Sequence, residues 1–140
     1  MDETRIRKRL ALIDETAGLL SDSIPGDAGS YGKADRLIKD ATERRLQVIS
    51  EAELDILKTL YKDLGRRIVG DEESLIDSME GLLGRKATAS LKERRGLRNK
   101  LVHAYLDIDQ AEVYEQASGL GDLKEFARAV TKLVDHPPKL

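Results

Sequence analysis

The sequence predicts an all-α fold, an up-down helical bundle of about five helices. Apolar residues recur at steps of three and four along most of the chain, and no stretch alternates as a strand does. Ala, Leu, Glu, Lys and Arg dominate the composition, as is typical of helices, and only 4% of residues are aromatic. A chain of 140 residues has the size of one domain, so we expect residues 1–140 to form a single unit.

The first two predicted helices are separated by a loop rich in helix-breaking residues. We expect the first helix over about residues 3–20 and the loop over residues 21–30, which include Pro and two Gly. The second helix is long, about residues 33–64, and Gly65 is a natural stop. Arg45 occupies one position of its apolar seam. It either extends out of the core, or it points into a polar cleft, where it becomes a candidate RNA contact.

Three further helices follow. Asp71 opens the third, which ends at Gly84, and the fourth is expected over about residues 89–105. The fifth begins at Asp109, whose carboxylate can cap it, and a break is expected over residues 119–121 before the apolar stripe resumes. Two prolines place the tail, residues 136–140, outside the helix, and we expect it to fray.

Composition excludes several classes of protein. Without cysteine there are no disulfides, thiolate nucleophiles or Cys-ligated metal sites. No apolar run approaches the roughly 18 residues that cross a bilayer, so we expect a cytoplasmic protein without a membrane partner. No cofactor is expected, because no Gly-rich phosphate loop is present. The spacing of His103 and His136 does not indicate a metal site, and the acidic pair Glu72–Glu73 is explained as the first turn of a helix.

The charge of the chain is unevenly distributed. The net charge is −2, but the segment from Arg85 to Lys100 carries +6 and the remainder −8. Such a segment can attract a polyanion that the rest of the surface repels. Within it, Arg94, Arg95 and Lys100 are candidate RNA contacts. The alternative is that these charges merely solvate a helix face.

The end of the fourth helix carries the residues best suited to chemistry on RNA. Arg98 offers a planar fork of donors that matches phosphate oxygens. Histidine is the side chain that ordinarily titrates near neutral pH, so His103 can take or give a proton, and Asn99 can orient it. RNA supplies its own nucleophile in the 2′-hydroxyl, so this set could cleave RNA without a metal. The alternative is that these groups satisfy local hydrogen bonds at a helix end.

Helix geometry restricts how these residues can cooperate. Arg98 and His103 are five residues apart, so they diverge by about 140° on a regular helix. They can act on one phosphate only if the helix loosens near His103 or if a second subunit contributes its own copy. We therefore expect a two-fold homodimer.

The motif resembles that of a known family. Four residues, of which Asn99 is the first, separate Arg98 from His103, and Ala104 and Tyr105 follow. This segment is similar to the Arg-polar-x-x-x-His motif of the HEPN superfamily. The tyrosine two residues after the histidine, followed by residues 107–109, resembles the HepT-like branch in particular. The expected order and lengths of the helices fit that branch over most of the chain.

The resemblance implies a fold, an activity and a partner. It implies a HEPN-like helical domain and a dimeric, metal-independent endoribonuclease with Arg98 and His103 catalytic and Asn99 assisting. Members are commonly toxins that act on cellular RNA, with tRNA a candidate here, and are neutralised by a minimal nucleotidyltransferase antitoxin. Tyr105 matches the tyrosine that such a partner adenylylates. The alternatives are a helical module that binds RNA, a nucleotide or the nucleotidyltransferase without chemistry, and a purely structural partner.

Overall fold

The structure, a computed structural model, describes residues 2–67, 70–103 and 107–138. Within these ranges it contains eight helices and no strand. The helices are α1 (Glu3–Ser23), α2 (Ala28–Lys33), α3 (Arg36–Asp63), α4 (Glu72–Ser78), α5 (Glu80–Leu83), α6 (Arg85–His103), α7 (Gln110–Ser118) and α8 (Leu123–Asp135). The all-α prediction is confirmed. The predicted number of about five is wrong, because one helix forms in the expected loop and two of the expected elements divide.

The loop after α1 contains the short helix α2, which the sequence pattern does not predict. Asp27 starts it by accepting a hydrogen bond from the backbone N–H of Ser30, at 2.7 Å. Ala34 is then extended, and Asp35 caps α3 through the N–H of Ile38. The long helix therefore begins at Arg36 rather than near residue 33, since an aspartate cap and an extended residue separate the two helices.

The predicted third helix divides into α4 and α5 at Met79, whose side chain is fully buried. Asp71 opens α4, as expected, by accepting a hydrogen bond from the N–H of Ser74. Gly84 has a φ of 93°, a left-handed conformation that glycine adopts without strain, so the chain turns at once into α6. For that reason α6 begins at Arg85, four residues earlier than expected.

The prediction of a broken fifth helix is confirmed. Asp109 caps α7 through the N–H of Ala111, and Gly119 follows its last residue. Helix α8 ends at Asp135, so the tail described as far as residue 138 is not helical. Within the described residues, no helix is long and apolar enough to cross a membrane.

Helices α1 and α3 pack antiparallel. Arg5 at the start of α1 donates to the Asp55 carboxylate at 2.7 Å, and Arg45 near the start of α3 reaches the end of α1. Between these contacts the two helices bury a shared apolar face. Fully buried residues of these two helices in the core include Ile6, Leu20, Ile49, Ile56, Leu57 and Leu60.

The helix that carries the motif is fixed by a buried ion cluster. Arg94 of α6 makes two hydrogen bonds to Glu53 of α3, at 2.7 and 2.8 Å, and two to Asp122 before α8, at 3.1 and 2.9 Å. The side chains of Arg94 and Glu53 are 6% and 1% exposed. Burial raises the pKa of the Glu53 carboxyl, although Arg94 acts in the opposite direction. The prediction that Arg94 contacts RNA is therefore wrong, because its guanidinium is buried and bound by two carboxylates.

Replacing Arg94 is expected to destabilise the fold strongly. Arg94→Ala leaves Glu53 buried without a counter-ion, which typically costs about 3–5 kcal/mol. Urea unfolding measures this loss, and Arg128→Ala, in α8, serves as the control with little change. Replacing Arg94 by Met together with Glu53 by Leu leaves Asp122 as the single charge of the cluster and should cost less than Arg94→Ala alone, which leaves two. An Arg94→Ala protein within about 1 kcal/mol of the wild type, the scale of ordinary single changes, would contradict this account.

The contact between α1 and α3 predicts a stability that falls in acid. The Arg5 hydrogen bond, together with the charges of Arg5 and Arg9, holds the pKa of Asp55 below its ordinary value of 3.8, although burial opposes them. A lowered folded-state pKa stabilises the fold above the unfolded-state value, and this contribution disappears as the pH falls through the folded-state value.

The measurement is urea unfolding of the wild type and Asp55→Asn over a pH series. We expect Asp55→Asn to lower the free energy of unfolding by about 1 kcal/mol or less near neutral pH, since the ion pair is partly exposed. The difference between the two proteins should begin to shrink near a pH of about 4, the ordinary range of an aspartate, and should disappear only below the lowered pKa of folded Asp55. Asp14→Asn, at an exposed position of α1, is the control. A constant difference down to the lowest pH would show that the contribution of Asp55 is not its charge.

Candidate active site

The predicted catalytic residues lie on the last two turns of α6. The helix is continuous through His103, so it does not loosen between Arg98 and His103. Five residues of regular helix separate their Cα atoms by about 140° of rotation and about 7.5 Å of rise. One protomer therefore does not direct both side chains at a single phosphate. Tyr105 and its neighbours 104 and 106 lie outside the described residues.

Arg98 is held on the side of α6 that faces α4. Its Nη2 donates to Oε1 of Glu72 at 2.5 Å, and its side chain is 16% exposed. The Nε of Arg98 is buried and has no hydrogen-bond partner among the described residues. His103, in contrast, is exposed at the end of the helix. Arg98 is thus oriented by a partner within the chain, while the imidazole is open to solvent.

Glu72 is a residue of this site that the sequence did not reveal. Its Oε1 accepts from Arg98 and from Nε of Arg95, the latter at 3.3 Å, and its Oε2 accepts from Nζ of Lys58 at 3.2 Å. Burial alone would raise the pKa of Glu72, but the Lys58 hydrogen bond and the charges of Arg98 and Lys58 outweigh it, so the pKa lies below the ordinary value. Glu72 is therefore a carboxylate at neutral pH.

The signal for Glu72 was present in the sequence but ambiguous. Any acid in the first turn of a helix is favoured by the helix dipole, and Glu72 has that position in α4. Glu72 is 26 residues from Arg98 in the sequence, and the two side chains meet only because α4 packs against α6. Lys58, on α3, carried no signal at all.

The other predicted RNA contacts on α6 do not share one face. Arg95 joins Arg98 on Glu72, since residues three apart are neighbours on a helix. Lys100 lies on the side that faces α7, where its Nζ donates to Glu112 at 3.0 Å. Asn99 is half-buried. The structure therefore brings Arg95 and Arg98 together and leaves Lys100 apart from them.

Arg45 lies near the opposite end of α3 from this site. Its Nη1 donates to the Ser23 hydroxyl at 2.8 Å and contacts the carbonyl of Leu19 at 3.4 Å, at the end of α1, where a cation is favourable. Lys58, which shares Glu72 with Arg98, is 13 residues further along α3, a distance of about 20 Å. Of the two alternatives for Arg45, its extension out of the core agrees with these contacts, and within this protomer it lies apart from Arg98; its contact with RNA stays a prediction.

Three concave surfaces lie beside the described helices. A pocket of about 480 Å³ between α6 and α7 is lined by Lys100 and by three acids, Glu93, Glu112 and Glu115. A groove of about 650 Å³, mostly apolar, lies between α1, α7 and α8 and includes none of the predicted site residues. The third, of about 440 Å³ on α8, is lined by Arg128, Lys132 and His136 together with Asp135, and it also includes none of the predicted site residues. Among the described side chains, no three or more of His, Asp and Glu are grouped as metal ligands.

The described fold and motif agree with a match to a family of known proteins. The sequence model of the ribonuclease HepT-like family matches residues 13–130. This chain belongs to the HepT-like ribonuclease family. A protein of Archaeoglobus fulgidus that carries the name "Putative RNase" is 28% identical over 109 residues, which are 77% of this chain and 83% of that protein.

Solved structures share the fold. A protein from Bacillus subtilis, described as the cytosolic protein of unknown function YutE, has a TM-score of 0.81 at 20% identity and covers 100% of this chain and 96% of its own. A chain of a toxin–antitoxin crystallised with AMP-PNP has a TM-score of 0.76 at 22% identity, over 94% of this chain and 98% of its own. The toxin–antitoxin MntA-HpeT, in a mutant with one tyrosine replaced by alanine, has a TM-score of 0.75 at 21% identity, over 94% and 99%.

Proposed function

We propose that this protein is a metal-independent endoribonuclease toxin that cleaves cellular RNA, with tRNA a candidate substrate, in the cytoplasm. The observation that carries the proposal is the pairing of an oriented guanidinium, Arg98, with an exposed imidazole, His103, at the end of one helix in a chain of the HepT-like ribonuclease family. Asn99, beside them, assists by orienting the imidazole or the phosphate.

The reaction uses the RNA as its own nucleophile. The 2′-oxygen attacks the adjacent phosphorus as its proton passes to a base, the bond from phosphorus to the 5′-oxygen breaks, and the leaving oxygen takes a proton. The products are a 2′,3′-cyclic phosphate and a 5′-hydroxyl. His103 moves a proton, and Arg98 stabilises the charge that builds on the phosphate oxygens in the transition state.

A homodimer completes this arrangement. Because Arg98 and His103 of one protomer diverge, the proposal places the α6 ends of two protomers on either side of one cleft. Each phosphate would then meet an arginine and a histidine from different α6 helices.

The partner in this proposal is a minimal nucleotidyltransferase antitoxin. The solved structures named as toxin–antitoxin share the fold, one of them was crystallised with AMP-PNP, and another has a tyrosine replaced. We propose that the partner transfers an adenylyl group to the hydroxyl of Tyr105, two residues after His103 in the sequence. The added bulk and negative charge would exclude RNA phosphates from the cleft.

A non-catalytic module that binds RNA, a nucleotide or the nucleotidyltransferase is the second candidate. It is favoured by the fact that Arg98 is already bound by Glu72 and diverges from His103 within the protomer. Under this hypothesis the chain binds RNA in a salt-sensitive manner but leaves it intact.

The test of the proposal is cleavage of total RNA and of purified tRNA with EDTA present. We expect the wild-type dimer to cut, and His103→Ala and Arg98→Ala to lower the rate by about 10²-fold or more, the usual loss of an acid–base or charge-stabilising group. His136→Ala is the matched control, because this second histidine follows the end of α8. Intact RNA with folded wild-type protein, or full activity in His103→Ala, would refute the proposal.

Mixed dimers of two inactive variants test whether one active site uses residues of both protomers. Heterodimers of His103→Ala with Arg98→Ala protomers should regain part of the activity if the two residues of one working site come from different protomers. Two variants that stay inactive after subunit exchange would contradict that division.

Adenylylation of Tyr105 is expected to silence the enzyme. Incubation with the cognate nucleotidyltransferase and ATP should raise the intact mass by whole adenylyl groups and abolish RNA cleavage. Tyr105→Phe should escape both effects, while Tyr114→Phe, at a tyrosine of α7, should behave as the wild type. A mass increase that persists in Tyr105→Phe would place the modification elsewhere.

A further inference from the structure

Three cations from two helices converge on one carboxylate beside the motif. Lys58 of α3 and both Arg95 and Arg98 of α6 contact Glu72, at the start of α4. A single acid does not neutralise three bases. These four side chains therefore keep a formal charge of +2.

The cluster is accessible enough to meet a second anion. The side chain of Lys58 is 46% exposed and that of Arg95 is 21% exposed. An ammonium has three donors and a guanidinium five, so one carboxylate leaves most of these donors able to bind another oxygen. Phosphate groups of RNA are the anions that such a cluster suits.

The contact with Glu72 orients Arg98 and leaves other donors of its guanidinium available. One nitrogen, Nη2, is bound at 2.5 Å, and Nε is buried without a described partner. A guanidinium is planar, so one short bond and a buried stem restrict its rotation. Its remaining donors keep a fixed direction, which is what a transition state requires of a charge-stabilising group.

We propose that Glu72 is a positioning residue for Arg98, and that Lys58 and Arg95, gathered by the same carboxylate, bind a second phosphate of the RNA next to the one that is cut. The inference rests on the proposed ribonuclease function and adds two residues to it, Glu72 and Lys58. It assigns to Lys58 a role in substrate binding and to Glu72 a role in the rate of the chemical step.

A merely structural role for Glu72 would have a different signature. Glu72 links α3, α4 and α6, so its loss could simply loosen the packing. Loosening would lower the melting temperature and would affect RNA binding and the cleavage rate together. A positioning role instead lowers the cleavage rate without weakening RNA binding. Removing one negative charge makes the cluster more attractive to RNA, while Arg98 loses its orientation.

The first experiment compares Glu72→Gln with Glu73→Gln. The control removes the same charge one residue further along α4, at an exposed position that does not contact Arg98 in the structure. We expect Glu72→Gln to lower kcat by about 10-fold to 100-fold, the cost of a misplaced catalytic group, with KM unchanged or lower. Glu72→Asp, which keeps the charge, should recover part of kcat. Glu73→Gln should behave as the wild type.

The second experiment measures RNA binding by Lys58→Ala over a salt series, in a His103→Ala background that prevents cleavage. Loss of one phosphate contact to single-stranded RNA should reduce the slope of log K against log salt by about 0.7. Lys132→Ala, in α8, is the control. This arm remains informative if Glu72→Gln fails to fold.

The results distinguish a failure of the roles proposed for Glu72 and Lys58 from a failure of the proposed ribonuclease function. Wild-type kcat in a folded Glu72→Gln protein, or an unchanged salt slope in Lys58→Ala, would overturn the inference while Arg98→Ala is still inactive. Cleavage that survives in Arg98→Ala and His103→Ala would overturn the proposed function itself. A fall in kcat together with an equal rise in KM for Glu72→Gln would assign Glu72 a structural role and also overturn the inference.

Discussion

The buried guanidinium of Arg94 is the contact on which the arrangement of α6 depends. It joins Glu53 of α3 and Asp122 before α8, and four hydrogen bonds fix the plane of the group. A buried arginine tolerates little displacement, because any shift leaves a charge without its partners. This contact sets the rotation of α6 one turn before Arg98. Consequently Arg95 and Arg98 face α4, and Lys100 faces α7.

The basic segment of α6 is less a cationic surface than its sequence suggests, because most of its bases form ion pairs with acids of neighbouring elements. The pairs are Arg85 with Glu80, Lys92 with Asp77, Arg94 with Glu53 and Asp122, Arg95 and Arg98 with Glu72, and Lys100 with Glu112. These acids take up most of the charge. Glu72 differs from the other acids because it faces three cations, Arg95 and Arg98 of α6 and Lys58 of α3. In the proposal, RNA phosphates bind at this place, since net local charge and not the number of bases governs the field.

In the proposed reaction the active site forms only when two protomers associate. A regular helix separates Arg98 from His103 by about 140°, so one protomer offers the two groups in different directions. A two-fold axis near the end of α6 can bring the missing partner from the second copy. In that proposal a modification of Tyr105 acts on both protomers at once, because the cleft it blocks belongs to both. Glu72, at the start of α4, contacts Arg98 from within its own protomer.

The sequence by itself determined the all-α class, most helix starts and stops, and the motif. These are local properties: an aspartate cap at Asp71 and the break after α7 depend on residues a few positions apart. It did not determine which charges are buried. Arg94 and Arg98 look equivalent in a basic run, yet one is enclosed by acids 41 and 28 residues away, while the other is 16% exposed and bound by one acid 26 residues away. Only the tertiary structure decided this, because pairing across helices depends on how α3, α4 and α6 pack rather than on any spacing along the chain.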